Sequence, residues 1–130
     1  MAIPARKTQL QHVHFISATV AYNTPGITGG VQIGTLPAGA VIDETSVLTT
    51  TAWNGTTSVA LSVGSTVTGT QYINATDVRT AAARVDTQTP IAQVGPLAAD
   101  TPVYASVAFG GTTGSAGATT VIVYYIPAVG

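Results

Sequence analysis

Cysteine is absent from this 130-residue chain, and charged side chains are scarce. The lack of cysteine excludes disulfide bridges and thiolate metal sites. Charged residues make up 7% of the sequence, with a formal net charge of −1, whereas a typical soluble domain carries about 25%. Because a nucleic-acid-binding surface needs clustered lysine and arginine, this composition argues against a nucleic acid partner.

The sequence also has no apolar run of the roughly 20 residues that cross a bilayer. Its first residues, Met1 to Lys7, contain no apolar stretch of the kind found in secretory signal peptides. We therefore expect a protein that is made and folded in a cytoplasm and has no membrane partner.

Hydrophobic residues are abundant, at 45% of the chain. This share separates the chain from disordered sequences, which combine low hydrophobicity with high net charge. One domain of this length can bury an ordinary core. Its surface must be built from uncharged polar and small residues, and a free monomer with so little charge is prone to association. We expect partners to cover much of that surface.

Segments with strand character dominate the sequence. Residues 103–109 alternate in polarity, as a half-buried strand does, and residues 119–126 are apolar on both faces, which predicts a central strand covered on both sides. The predicted strands are residues 12–22, 31–34, 46–53, 59–63, 71–73, 91–94, 103–109 and 119–126. About eight strands joined by Gly, Pro and Asn turns predict an all-β, single-domain β-sandwich that is jelly-roll-like. Residues 1–11 are predicted to form an N-terminal arm and residues 12–130 the sandwich domain.

Two local patterns make further structural predictions. Asn54-Gly55 follows a predicted strand, and Asn-Gly between apolar runs is a strong hairpin-turn signal. Residues 75–85 contain Ala and Arg, which favour helix, so this short stretch is the one plausible helical turn.

The two histidines are the residues with the clearest chemical interest. His12 and His14 are two apart on a predicted strand, so their side chains share a face. A zinc site needs a third ligand and a catalytic triad needs a separate nucleophile and orienting acid, and the sequence pattern supplies neither. We expect no cofactor, no metal and no enzymatic activity, and interpret the imidazoles as solvent-facing or interface groups, or as a pH-sensitive contact.

Other interface predictions come from charged and aromatic residues. The pair Arg6-Lys7 lies in the predicted arm, and the region around Arg79 and Arg84 concentrates charge that forms surface ion pairs or sets register against a partner. Trp53 is interpreted first as a core or sheet-end residue and second as a platform for a ligand, although aromatic side chains also anchor interfaces. The candidate interface residues are Arg6, Lys7, His12, His14, Trp53, Asn54, Arg79 and Arg84.

A run of turn and strand motifs resembles small virion proteins of tailed phages. The motifs are GTLPAGAVI at residues 34–42, VLTTTAWNGT at 47–56, VALSVG at 59–64, ADTPVYA at 99–105 and VIVYY at 121–125. The resemblance covers roughly residues 30 to 126 and is a pattern of turns and strands rather than a catalytic motif.

This resemblance implies a jelly-roll-like sandwich in a phage particle, and within that group it favours a capsid decoration, or cement, protein. Such a protein binds the major capsid protein on the outside of the head, commonly as a homo-oligomeric dimer or trimer. The alternative is a tail, fibre or baseplate component that recognises host glycans, although one Trp and five Tyr mostly within predicted strands weaken it. A cellular β-sandwich module or shell protein unrelated to phages is the third possibility, and an enzyme the last.

Overall fold

A computed structural model describes residues 13–80 and 83–128 as two packed sheets. The predicted arm at residues 1–11 and the candidates Arg6, Lys7 and His12 lie outside the described residues. The strands are β1 (His14–Ala21), β2 (Val31–Leu36), β3 (Val41–Thr51), β4 (Ser58–Gly64), β5 (Ile73–Asp77), β6 (Ala83–Gln88), β7 (Thr101–Gly110) and β8 (Ala118–Ile126).

The strands form two antiparallel four-stranded sheets with the order β1-β8-β3-β6 in sheet I and β2-β7-β4-β5 in sheet II. Only β4 and β5 are neighbours both in the chain and in a sheet, so every other connection described crosses from one sheet to the other. An eight-stranded double sheet of this kind is a jelly roll. The predicted all-β, jelly-roll-like sandwich is confirmed.

The core lies between the sheets and follows the period-two alternation of the strands. In β4, Val59, Leu61 and Val63 are buried between the sheets, and Val103 and Val107 of β7 pack with them. Burying each of these side chains stabilises the fold by about 1.5–3 kcal/mol. The alternation in residues 59–63 and 103–109 therefore identifies the inner faces correctly.

The helical turn predicted for residues 75–85 is wrong. The segment instead contains the end of β5 and the start of β6, and residues 83–88 pair with Glu44–Thr49 of β3. Val78, between the two strands, is fully buried, and its carbonyl accepts a hydrogen bond from the Trp53 amide. The backbone hydrogen bonds between β6 and β3 and the burial of Val78 stabilise the extended conformation more than the weak helix propensity of this stretch stabilises a helix.

Asn54-Gly55 does not form the predicted hairpin turn, because β3 and β4 lie in different sheets. Neither residue has the positive φ that a type I′ turn requires. Asn54 Oδ1 instead accepts hydrogen bonds from the Ser115 and Ala116 amides at 2.7 and 2.9 Å. Gly55 is buried, with Val59 and Phe109 occupying the space that a Cβ would need. Asn54 and Gly55 therefore form a contact between the β3–β4 and β7–β8 loops instead of a hairpin turn.

Two strand predictions also need correction. Residues 91–94 do not extend a sheet, since Ile91–Gln93 form a 3₁₀ turn directly after Pro90. Strand β8 is central, between β1 and β3, as predicted. Its second face is not covered by described residues, because Ile122 and Tyr124 remain partly exposed on the outside of sheet I. The inner face of β8 is therefore part of the core, and its apolar outer face is part of the protein surface rather than of a second buried layer.

Candidate interaction surface

The outer side of sheet I carries large side chains in rows that the strand register defines. Phe15 of β1 is opposite Tyr124 of β8, which is opposite Glu44 of β3, and Glu44 is opposite Gln88 of β6. Since alternate residues of a strand share a face, the rows two residues along complete the surface. We call this surface the sheet I face. Its residues are Phe15, Ser17, Thr19, Glu44, Ser46, Leu48, Arg84, Asp86, Gln88, Thr120, Ile122 and Tyr124.

The β1–β8 half of the sheet I face combines three large side chains, Phe15, Ile122 and Tyr124, with small polar ones. Phe15 is 62% exposed, and the partly exposed Ile122 and Tyr124 lie on the neighbouring strand. Ile126, at the end of β8, is 41% exposed. Scattered apolar side chains on a surface are ordinary, but a contiguous group indicates an interaction site.

The β3–β6 half of the same face is polar and internally bonded. Ser46 Oγ donates to Asp86 Oδ1 at 2.6 Å, and Arg84 Nε donates to both carboxylate oxygens of Asp86 at 2.9 and 3.0 Å. These two contacts, that from Ser46 first, lower the pKa of Asp86. The hydrogen bond to Asp86 also raises the pKa of Arg84. The result is a solvent-exposed, hydrogen-bonded carboxylate–guanidinium pair on the β3–β6 side of the face.

The outer side of sheet II has a different composition. The β4–β7 register sets Ala60 opposite Ala108 and Ser62 opposite Ser106, with Gly64 opposite Tyr104. Apart from Tyr104 these side chains are small, and Ser106 is buried by its neighbours. This surface, the sheet II face, is therefore smooth and offers few apolar atoms to a partner.

Trp53 lies inside the sandwich rather than on its surface. Its side chain is 1% exposed, and its Nε1 donates to the buried Thr119 hydroxyl at 2.8 Å. Gly117 packs so closely against the indole that a Cβ there would collide with it. The interpretation of Trp53 as a core residue agrees with this burial, so the indole itself is not available to a partner in this conformation.

The other described candidates do not converge on one site. His14 is half-buried at the start of β1, with its ring centroid 5.8 Å from that of Tyr125. Asn54 is exposed in the β3–β4 connection and Arg79 in the β5–β6 connection. Arg79 Nη1 donates to the carbonyl of Thr57 in the β3–β4 connection at 2.6 Å. Arg84 is the one of these that belongs to the sheet I face. Their role in an interface stays a prediction.

Sequence reasoning missed Phe15, Ile122 and Tyr124 as candidate contact residues. The sequence contained the signal, because residues 119–126 are apolar on both faces. Phe15 and Ile16 are consecutive apolar residues, so they also place apolar side chains on both faces of their strand. A central strand with two apolar faces was interpreted as doubly buried, whereas only its inner face is covered by described residues.

Within residues 13–80 and 83–128, no group of three or more His, Cys, Asp or Glu side chains is arranged to hold a metal ion. The same residues include no helix that is long and apolar enough to span a bilayer.

No protein-family model matches the chain, and no curated protein sequence matches it. Two solved structures do. A chain of the cyanophage Pam1 capsid asymmetric unit superposes with a TM-score of 0.73 at 23% identity, covering 98% of this chain and 94% of that one. A chain of the Ralstonia phage GP4 capsid gives 0.70 at 20% identity, covering 99% and 93%.

These likenesses show that the fold is shared over the full length of the chains. Since nearly all of both chains is covered in each case, the matched proteins are close in length to this one. The match is therefore to a whole small polypeptide rather than to one domain of a larger subunit.

Proposed function

We propose that this protein is a structural component of a phage capsid, and that it decorates the outside of the head and stabilises contacts between major capsid subunits. The observation that carries the proposal is the whole-length match to chains of two phage capsids. The turn and strand motifs of residues 34–64, which resemble those of small phage virion proteins, support the same conclusion independently.

A compact jelly roll of this size fits a decorating role. The capsid chains that share this fold are separate polypeptides of nearly the same length. A jelly roll of 130 residues is a compact unit that can dock on a preformed surface. In this proposal the role is structural, and the partner is the major capsid protein.

The sheet I face is the surface best suited to that contact. Phe15 presents a largely exposed aromatic ring beside the partly exposed Ile122 and Tyr124. Aromatic anchors of this kind dominate the energetics of protein interfaces. The Arg84–Asp86 ion pair at the other side of the face is solvent-exposed and can set orientation more than affinity.

Stabilisation of the shell follows from mass action. A protein that binds the assembled shell and not its free subunits stabilises it by RT ln(1 + [L]/Kd) per site, or about 2.7 kcal/mol at a hundredfold excess over Kd. Repetition over symmetric sites turns this modest term into resistance against internal pressure from packaged DNA.

The test is co-sedimentation of the purified chain with expanded heads that lack it. We expect saturable binding by the wild type and at least a tenfold loss for Phe15→Glu, since about 1.4 kcal/mol corresponds to tenfold in affinity. Ala108→Glu is the matched control, because it adds the same charge to an exposed position on the sheet II face. If Phe15→Glu bound heads as tightly as the wild type, the contact would lie on another surface.

Immunogold labelling of intact virions separates the decoration role from its alternative. Label spread over the heads supports decoration. Label confined to the tail or its tip, or no binding to heads at all, would overturn it in favour of a tail, fibre or baseplate component that recognises host glycans.

A further inference from the structure

Among the described residues, the sandwich has four edge strands, which are β1 and β6 in sheet I and β2 and β5 in sheet II. Natural sheets usually protect such edges against pairing with other chains by bulges or charges. Strand β2 has a register break between Gln32 and Gly34, and β5 is broken next to Ala75, whose φ is +53°. Strand β6 displays Arg84 and Asp86. Three of the edges therefore carry a recognisable protection.

Strand β1 carries none of these devices. Its eight residues, HFISATVA, include no Asp, Glu, Lys, Arg, Pro or Gly. It pairs with β8 in an unbroken register from His14 to Ala21. A long, regular and uncharged edge of this kind is the sort that accepts a further strand.

The backbone groups at the open side of β1 follow from the ladder with β8. The Tyr22 amide donates to the Gly117 carbonyl at 3.1 Å, in register with the ladder, so the even-numbered residues direct their N–H and C=O groups towards β8. The groups of Phe15, Ser17 and Thr19 therefore point to the open edge. Among the described residues, β1 pairs with no strand other than β8.

Thr24 closes this edge at one end. Its Oγ1 accepts a hydrogen bond from the Ala21 amide at 2.8 Å, and its own amide donates to the Ala21 carbonyl at 3.0 Å. Ala21 thus has no free group for a further strand. The open stretch runs from Phe15 to Thr19 and is centred on Ser17.

We infer that β1 pairs antiparallel with β1 of a second copy of this chain, about a two-fold axis at Ser17. In that register, Ser17 of each copy faces its counterpart and Phe15 of one copy lies opposite Thr19 of the other. Each opposed pair uses N–H and C=O groups that point to the open edge. The stretch closed by Thr24 stays outside the pairing, so this register uses the open groups fully.

The second copy is the occupant that the side chains fit best. On the outer face, the large Phe15 meets the small Thr19, and on the inner face Ile16 meets Ala18. On both faces, a large side chain of one copy is opposite a small side chain of the other. No like charges are brought together, because β1 contains no Asp, Glu, Lys or Arg. The pairing would join two sheet I faces into one continuous surface on one side of the dimer.

This inference does not depend on the proposed function, since it concerns the free protein. In the dimer, both copies present Phe15 in the same direction. If the capsid role also holds, the binding of the second copy to the shell becomes intramolecular once the first copy is bound. A dimer would then bind a symmetric shell more tightly than its halves.

The test uses the purified full chain in sedimentation equilibrium. We expect a dimer in the micromolar range for the wild type. Ser17→Lys places like charges directly opposite each other at the axis and should weaken dimerisation at least tenfold. Ala108→Lys, on the exposed sheet II face, should leave the dimer intact. Thermal unfolding of each variant checks that the fold persists.

A second variant uses the absence of cysteine from the chain. Hydrogen-bonded antiparallel pairs have Cα atoms about 5.5 Å apart, within the range that a disulfide bridges. Ser17→Cys should therefore form a covalent dimer on mild oxidation much faster than Ala108→Cys. A wild type that is monomeric or trimeric, or equal cross-linking of the two variants, would overturn the pairing. A monomer that still binds heads would leave the proposed function standing.

Discussion

The two sheets share one core but have different outer faces. Both supply buried side chains to one core, since Val47 and Val123 of sheet I pack with Leu61 and Val107 of sheet II. Outside, sheet I presents Phe15 and other large side chains, whereas the β4–β7 part of sheet II is mostly Ala, Ser and Gly. The core between the sheets depends on the inner faces, so the difference between the outer faces is not needed to hold the sandwich together.

The inner faces also differ in polarity. Sheet II contributes aliphatic side chains from β4 and β7, while sheet I adds buried threonines at Thr45, Thr49 and Thr119. Buried hydroxyls are tolerated where they find hydrogen-bond partners. Thr119 bonds to Trp53, but the Thr45 hydroxyl has no partner among the described residues. The inner face of sheet I therefore includes the desolvation cost of buried hydroxyl groups, which the aliphatic inner face of sheet II does not.

The aliphatic half of the core should show the largest effect. Leu61→Ala removes a fully buried side chain from the middle of sheet II, which should lower the free energy of unfolding by about 2–5 kcal/mol. Urea denaturation followed by tryptophan fluorescence measures it, since Trp53 is the one tryptophan. The neighbouring change Ala60→Ser, on the outer face, is the control and should cost far less. A loss below about 1 kcal/mol for Leu61→Ala would mean that the sheet II side of the core is loosely packed.

The polar half should show a smaller loss. Thr119→Val keeps the shape of the side chain but removes the acceptor of the Trp53 Nε1 hydrogen bond. The buried indole N–H then loses its partner, which costs about 1–3 kcal/mol. Thr120→Val is the control, because its hydroxyl bonds to Thr19 on the exposed outer face. If both variants unfold at the same urea concentration, the bond to Trp53 contributes nothing measurable.

Replacement of the unpartnered hydroxyl should change stability in the opposite direction. Thr45→Val removes a buried polar atom that has no hydrogen-bond partner among the described residues, in a strand that favours β-branched side chains. We expect a gain on the order of 1 kcal/mol in the free energy of unfolding. A lower urea midpoint than the wild type would show that the Thr45 hydroxyl is satisfied in solution.

The sequence predicted the fold better than the surface, for a physical reason. Buried positions repeat with the period of a strand, so Val59, Leu61 and Val63 identify both the strand and its inner face. Local signals failed where tertiary contacts decide, as at Asn54, whose side chain binds a distant loop, and in residues 75–85, where pairing with β3 replaces helix.

The candidate surface depended on information that the sequence does not contain. Phe15 and Tyr124 become neighbours only through the register of β1 with β8. Ser46, Arg84 and Asp86 meet only because β6 pairs with β3. Alternation predicts which residues share a strand face, but strand order decides which strands share a sheet. That order arises from crossovers between sheets that no local motif encodes.

The smallest expected effect concerns the polar half of the sheet I face, where the Asp86 carboxylate accepts hydrogen bonds from the Ser46 and Arg84 side chains. No carboxylate of the sheet II face accepts such side-chain hydrogen bonds from described residues. Ser46→Ala removes the hydrogen bond that does most to lower the pKa of Asp86, so that pKa should rise towards its ordinary value of 3.8, while the contact from Arg84 keeps it somewhat lower. Because the folded-state pKa is depressed, the stabilisation from this carboxylate is complete above pH values near 3.8 and is lost as the pH falls through the lowered pKa. The variant should therefore lose less stability than the wild type between these two pH values. Carboxyl NMR titration measures the pKa directly, with Ser58→Ala on the sheet II face as the control. An unchanged Asp86 pKa would mean that Arg84 alone fixes the carboxylate, and that Ser46 adds nothing to the order of this half of the face.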